Sequence, residues 1–300
     1  LDGFQSRLLD AYGTQVIHQA WKPVTVFLNG QYWGHMNLRE RVDRFFIAQF
    51  EGLSLDQADE MDILEANGSV NFGSNKAYRA MLKKIKAGSP ATNPDDLQYI
   101  LDNVDVDNLF EYMALEMFVG NSDIGNIRYY RLHQEGSKWK WIWYDADYGL
   151  YSSKFNSPWS YLKVKGMGEQ KIDNTIFLKL LEHPDYKRKF LEKLADVYKT
   201  FTTEYMTQVL DGVVAEIQPE MKNHWERWGE LNDKAVTSEV PTTIDGAYTY
   251  WESRVNRLYN TLKVRPHRLW DFIKDEFKLT KTEMEELFGP QPDYPDDAVL

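Results

Sequence analysis

The hydrophobic periodicities of this chain are unevenly distributed, and that asymmetry limits the folds open to it. Alternating, strand-like runs occur only in the first half and come as hairpins. From Asn174 onward the pattern is almost wholly helical, through "HPDYKRKFLEKLADVYKTF", "TEYMTQVLDGVVAEIQPEMKNHWERW" and "AYTYWESRVNRLYNTLKVR". Hairpins followed by long amphipathic helices imply an α+β architecture, a small β-rich front on a large helical back. They do not suit a parallel sheet built from alternating strands and helices.

Individual elements follow from local chemistry. Val24–Leu38 alternates around Asn29-Gly30, a strong two-residue hairpin turn. Arg41–Leu53 reads as a helix ending near Gly52. "MDILE" is a short strand, followed by a Gly/Asn loop and a helix from about Asn75 to Ala87. Ser89–Asp96 reads as a loop. Asp107 is the expected cap of a helix that Gly120 stops. Ser152–Lys171 has no clear period and reads as a long loop, and "GPQPDYPDD" reads as a frayed tail over 289–300.

Composition removes several function classes. A net charge of −11 argues against a nucleic-acid binder. No apolar run approaches the roughly 18 residues of a membrane-spanning helix. With no cysteine, zinc–thiolate sites, disulfides and thiol catalysis are excluded. The six histidines lack metal-ligand spacing, and no G-x-S-x-G or Gly-rich dinucleotide fingerprint occurs. The hydrophobic content of 43% and aromatic content of 14% are ample for a core.

The stretch "NSDIGNIRYYRLHQEGSKWKWIWYDADYG", Asn121–Gly149, holds the candidate chemistry. It reads as strand, turn at Glu135-Gly136, strand, with acidic and amide side chains at both open ends. Antiparallel pairing returns the end of the second strand to the start of the first, so Asp123, Asn126, Asp145 and Asp147 are expected to converge. Asp145 and Asp147, two apart, would share a face if the strand continued through them. Carboxylates grouped in this way suit a hard cation. The same residues equally suit turns, and D-x-D-x-G is a short, common pattern. Arg39, Glu40 and Arg41 form either a salt-bridged helix start or a charged site wall.

The order of these pieces resembles the spore-coat protein H (CotH) kinase-like family over most of the chain. The segments that carry the resemblance are "VTVFLNGQYWGHMNLRER", "MDILEANG", "NSDIGNIRYYR", "WKWIWYDADYGL" and "RVNRLYNTLKVRPHRLWDFI". The resemblance implies a divergent kinase fold in a single domain over 1–300, with 1–40 as a small-lobe remnant and 41–288 as a large, mostly helical lobe. It implies an atypical, secreted or surface-located bacterial protein kinase that uses ATP with Mg²⁺ or Mn²⁺ to phosphorylate Ser/Thr of a protein substrate. In that reading Asp123 orients the acceptor, Asp145, Asp147 and Asn126 hold metal, and Asn126, Glu40 and Arg39 contact the cofactor.

Ordinary kinase motifs (H-R-D-x-x-x-x-N, D-F-G, V-A-I-K) are absent, and the nucleotide-clamping loop and lysine are expected upstream of Leu1. Two other readings remain open. One is a non-catalytic surface binding or assembly module of the same fold. The other is a D-x-D sugar-nucleotide transferase, which the hairpins disfavour.

Overall fold

The computed structural model describes residues 1–163, 172–228 and 243–296. Helix α1 (Asp2–Tyr12) ends at Gly13 in the left-handed region. The hairpin β1 (Trp21–Leu28) and β2 (Gln31–Arg39) follows. Asn29 and Gly30 both take positive φ, 51° and 78°, as the two-residue turn requires. The ribbon stands apart from the main sheet and leans on α9 (Thr203–Trp228). There Trp228 Nε1 donates to Trp33 O at 2.6 Å, and the His35 amide donates to His224 Nδ1 at 3.1 Å.

The main sheet runs β4 (Ser69–Phe72), β3 (Met61–Glu65), β5 (Arg128–Leu132), β6 (Lys140–Ile142), all antiparallel. Strands β3, β5 and β6 are largely buried on both faces, whereas β4 is a mostly exposed edge, and the alternation of side chains decides which core each joins. Leu64, Tyr129 and Trp141 lie across from one another in the register and enter the large helical core. Ile63, Tyr130 and Ile142 turn the other way, onto a smaller core with Phe46 and Ile47 of α2 (Arg44–Phe50).

Helix α5 (Val106–Val119) is the centre of the large core and is buried along nearly its whole length. Around it pack α8 (Pro184–Thr200), α6 (Ser157–Tyr161) and β6, with α7 (Thr175–Leu181) and α10 (Ile244–Phe277) beyond. Helices α3 (Lys76–Ala87), α4 (Pro94–Asn103) and α11 (Lys281–Phe288) complete the array. Among the described residues after Asn174, helix is the only regular structure. No described helix is long and apolar enough to cross a membrane.

Several local expectations need correction. Asp105, not Asp107, caps α5, accepting from the Asn108 amide at 3.1 Å, while Asp107 lies in the first turn and pairs with Lys189. The expected loop 89–96 already contains the start of α4, with Asn93 as cap and Pro94 in the first turn. The Gly/Asn loop after "MDILE" contains strand β4. Helix α2 begins only at Arg44, because Asp43 caps it by accepting from Phe45 and Phe46. The expected long loop 152–171 includes α6; its residues 164–171 lie outside the described set. The tail is not frayed over 289–296: Trp270 Nε1 donates to Gly289 O at 3.1 Å, and His267 Nδ1 lies 2.7 Å from Pro292 O. Residues 297–300 lie outside the described set.

Candidate active site

Helix α5 delivers one half of the site. Its C-terminus stops at Gly120, φ 65°, and the chain turns through Asn121 into β5. Asn121 is 1% exposed, and its side-chain oxygen accepts from the Asp123 amide at 3.1 Å. The Asn126 amide then donates to Asp123 O at 3.2 Å. Two tight turns thus place Asp123 and Asn126 at the mouth of the hairpin.

The second half is the loop after β6. It is not a strand through Asp145 and Asp147, as the shared-face argument assumed. The ladder stops at Ile142, Trp143 makes an isolated bridge to His18, and Asp145 sits at φ 51°. A non-glycine residue in that region is uncommon. The loop is tied from below by Gln5, itself 1% exposed, whose Nε2 donates to Ala146 O at 2.7 Å and Gly149 O at 2.9 Å. The Leu150 amide donates to Val119 O at 2.6 Å. A Cβ on Gly149 would lie 2.8 Å from Gln5 Nε2 and 2.9 Å from Val119 Cγ2, so the close approach requires glycine.

The hairpin closes these halves on each other: Asn126 Nδ2 donates to Asp145 Oδ2. Asp147 lies within their field. Partial burial lifts its carboxyl above the usual range, and the charges of Asp2, Asp145 and Asp123 lift it further. Arg39 is ion-paired with Asp2, and it lines a narrow cleft with Asp145. Glu40 faces the other way: its carboxylate accepts from the Ala20 amide at 2.9 Å, fastening the exit of β2 to the segment before β1. Arg41 is exposed and 3.9 Å from Asp43, a weak pair at most.

Among the described residues no three His, Asp or Glu side chains form a ready-made metal cluster. The donor set still fits a hard cation. Asp145 and Asp147 offer carboxylates whose mutual repulsion a cation would relieve, and a half-turn of the Asn126 amide would present its oxygen. Mg²⁺ sites commonly use one or two carboxylates, with substrate phosphates completing the shell. Beyond Arg39 opens a cavity of about 470 Å³, lined among others by Trp21, Leu150, Tyr151, Trp251 and Arg254. That volume is in the range of small-molecule sites.

Two buried charges behind the site were not singled out from the sequence. Glu116 of α5 is 0% exposed and accepts from the Tyr161 hydroxyl at 2.9 Å. Burial pushes its carboxyl up to about 7, against the opposing pull of Tyr161, Tyr112 and Asn121, and the charge of Asp123 adds to the rise. Tyr112 lies beside it, but in a geometry too poor for a sound bond: its hydroxyl and Glu116 Oε1 are both buried without a partner. Arg265 of α10, also 0% exposed, donates from Nε to Phe118 O (2.9 Å) and from Nη2 to Met117 O (2.8 Å) and Ser157 Oγ (2.6 Å). Its Nη1 donates to Phe155 O at 2.7 Å. The one available signal was a lone glutamate in the apolar run "YMALEMFV"; Arg265 had none beyond lying in an arginine-rich helix.

No curated protein matches the chain. The family described as CotH kinase protein matches residues 2–269, which spans the hairpin ribbon, both halves of the site and Arg265. The chain therefore belongs to the CotH kinase protein family, whose fold is kinase-like.

Proposed function

We propose that this protein is an atypical protein kinase, transferring the γ-phosphate of ATP to serine or threonine of a protein substrate outside the cytoplasm. The observation that carries the reading is the contact between Asn126 and Asp145, which joins the ends of a hairpin within the field of Asp147. Phosphoryl transfer asks a protein mainly for positioning and charge neutralisation. Asp145 and Asp147, with Asn126, would hold Mg²⁺ or Mn²⁺, which when bound would neutralise phosphate charge. The cavity beyond Arg39 would take the base and ribose, and Arg39 would then lie beside the phosphates. Asp123, on its own turn beside Asn126, would accept a hydrogen bond from the acceptor hydroxyl and orient it for attack.

Three substitutions separate these roles, with ATP affinity and phosphate transfer measured separately on the folded protein. Asp145→Ala removes the main anionic ligand and should abolish metal-dependent ATP binding. Asp123→Asn should bind ATP nearly as well but lose about 10²–10⁴-fold in transfer, because an amide cannot take the acceptor's proton. Asp147→Asn should be milder, since an amide oxygen still coordinates. Unchanged metal-dependent ATP affinity in folded Asp145→Ala protein would remove Asp145 from the site and favour a non-catalytic binding or assembly module.

A further inference from the structure

A second groove, of about 560 Å³, lies between the segment that follows Gly149 and the middle of α10, with Tyr294 at one edge. Three cations line it, Lys154, Arg257 and Arg268, and among the described residues no carboxylate does. In a chain of net charge −11 this is a local reversal of sign. Among the described residues none of the three is ion-paired. Instead the two guanidinium groups lie against rings. Arg257 lies 4.7 Å from the centroid of Tyr151, and Arg268 lies 6.0 Å from that of Tyr294. Arg268 Nε is buried without a hydrogen-bond partner. Stacking holds a guanidinium in place while leaving its in-plane donors available, the arrangement suited to bidentate capture of an oxyanion.

We propose that this groove binds a phosphoserine- or phosphothreonine-bearing peptide segment. The three cations match the charge of one phosphate monoester, which carries about −1.5 to −2 at neutral pH. The groove is much larger than a phosphate, so there is room for flanking residues, and Ser253 and Asn256 on its wall offer neutral partners to a peptide backbone. A long polyanion such as nucleic acid would be repelled by the acidic remainder of the surface, whereas a peptide with one phosphate would not. Tyr151 and Arg257 also line the 470 Å³ cavity, so the two spaces adjoin. A bound phosphorylated segment would therefore lie beside the candidate active site. The assignment does not require catalysis and stands or falls separately from the kinase reading.

The test is fluorescence anisotropy with a labelled Ser/Gly peptide carrying one central phosphoserine, compared with its unphosphorylated form. The phosphopeptide should bind at least about tenfold more tightly, the worth of about one hydrogen bond to a charged group. Arg257→Gln with Arg268→Gln should erase that preference. Lys154→Gln, at an exposed position that cannot disturb packing, should reduce it several-fold and decides the matter if the double variant does not fold. Asp145→Ala should leave it unchanged. Equal affinity for the two peptides would overturn the proposal, as would a preference that survives the arginine or lysine changes. Inorganic phosphate competing as well as the phosphopeptide would also overturn it, reducing the groove to a bare-anion site.

Discussion

Arg265 and Glu116 carry opposite charges at the same depth, both 0% exposed, and both stand behind the turn that presents Asp123. They are satisfied very differently. Arg265 spends four hydrogen bonds on three carbonyl oxygens and one hydroxyl, with no counter-ion among the described residues. Two of those carbonyls, Met117 and Phe118, end α5, where the helix leaves its acceptors unmet and its dipole is negative. Burial lowers the guanidinium only to about 9, so it stays charged at neutral pH. Glu116 has one sound side-chain bond and one orphaned oxygen, and its proton affinity rises to about 7. A buried charge surrounded by fixed dipoles is a structural tie. One that is only half satisfied becomes titratable near neutrality.

The largest expected effect comes from breaking the satisfied member. Arg265→Met removes four hydrogen bonds from a charged donor at once: Phe118 O loses its partner, while Met117 O keeps the Ser157 hydroxyl and Phe155 O keeps the Ser157 amide. At about 1 kcal/mol for each of the lost bonds, the loss should reach at least about 3 kcal/mol in denaturant unfolding. Arg265→Lys should recover only part, because an ammonium cannot span carbonyls on both sides as the planar fork does. A Met variant as stable as the parent would mean that water replaces the lost donors.

Gly120 tests the same tie from the other side. Its φ of 65° costs a side chain about 1–2 kcal/mol. A Cβ there would also lie 2.8 Å from Arg265 Nη2. Gly120→Ala should therefore destabilise by more than the backbone term alone. Gly136, also at positive φ but with open space around it, is the control in which only the backbone term applies.

These ties explain which parts of the molecule could be read from sequence. The Asn29-Gly30 turn, the Gly120 stop and the return of the hairpin that puts Asn126 against Asp145 are local consequences of turn chemistry and pairing, and they are visible within a few tens of residues. Asp105 was passed over for Asp107 because both precede the apolar run of the same helix and only backbone geometry separates cap from first turn. The left-handed Asp145 is invisible to a pattern of alternation, which carried the strand too far. Gln5 holds Ala146 and Gly149 across more than 140 positions, and Arg265 reaches Phe118 from 147 positions away. No periodicity encodes such partners; they exist only once the helices have packed.

The unsatisfied member gives the next effect, and its sign is fixed. Native Glu116 holds its proton up to about 7, whereas the unfolded chain releases it near 4.5. Between those values the native state binds more protons, so this group's contribution to stability is fully present below pH 4.5 and is lost as pH rises through 7. Glu116→Gln cannot ionise. The variant should lose this pH dependence and, above pH 7, match or exceed the parent's stability by on the order of 1–2 kcal/mol. Parallel stability–pH curves from pH 4 to 8 for parent and variant would show that Glu116 is not the titrating group.

The smallest effect links that buried carboxyl to the site itself. Asp123 is one of the charges that raise Glu116, and it is also the proposed acceptor-orienting group. Asp123→Asn keeps the shape of the turn, since the bond to the Asn121 side-chain oxygen uses only the backbone amide of residue 123, and removes the charge. The Glu116 midpoint should then move down from about 7, while Asp56→Asn, on an exposed turn away from the site, should leave it in place. The midpoint can be followed by the carboxyl carbon resonance of labelled glutamate, which reports protonation without needing activity. A downward shift would establish that charge at the mouth of the hairpin is felt at the buried end of α5. A cation bound at Asp145 and Asp147 would then be expected to lower the Glu116 midpoint in the same direction. A midpoint unmoved by Asp123→Asn would separate the two and leave Glu116 a structural acid, raised by burial alone.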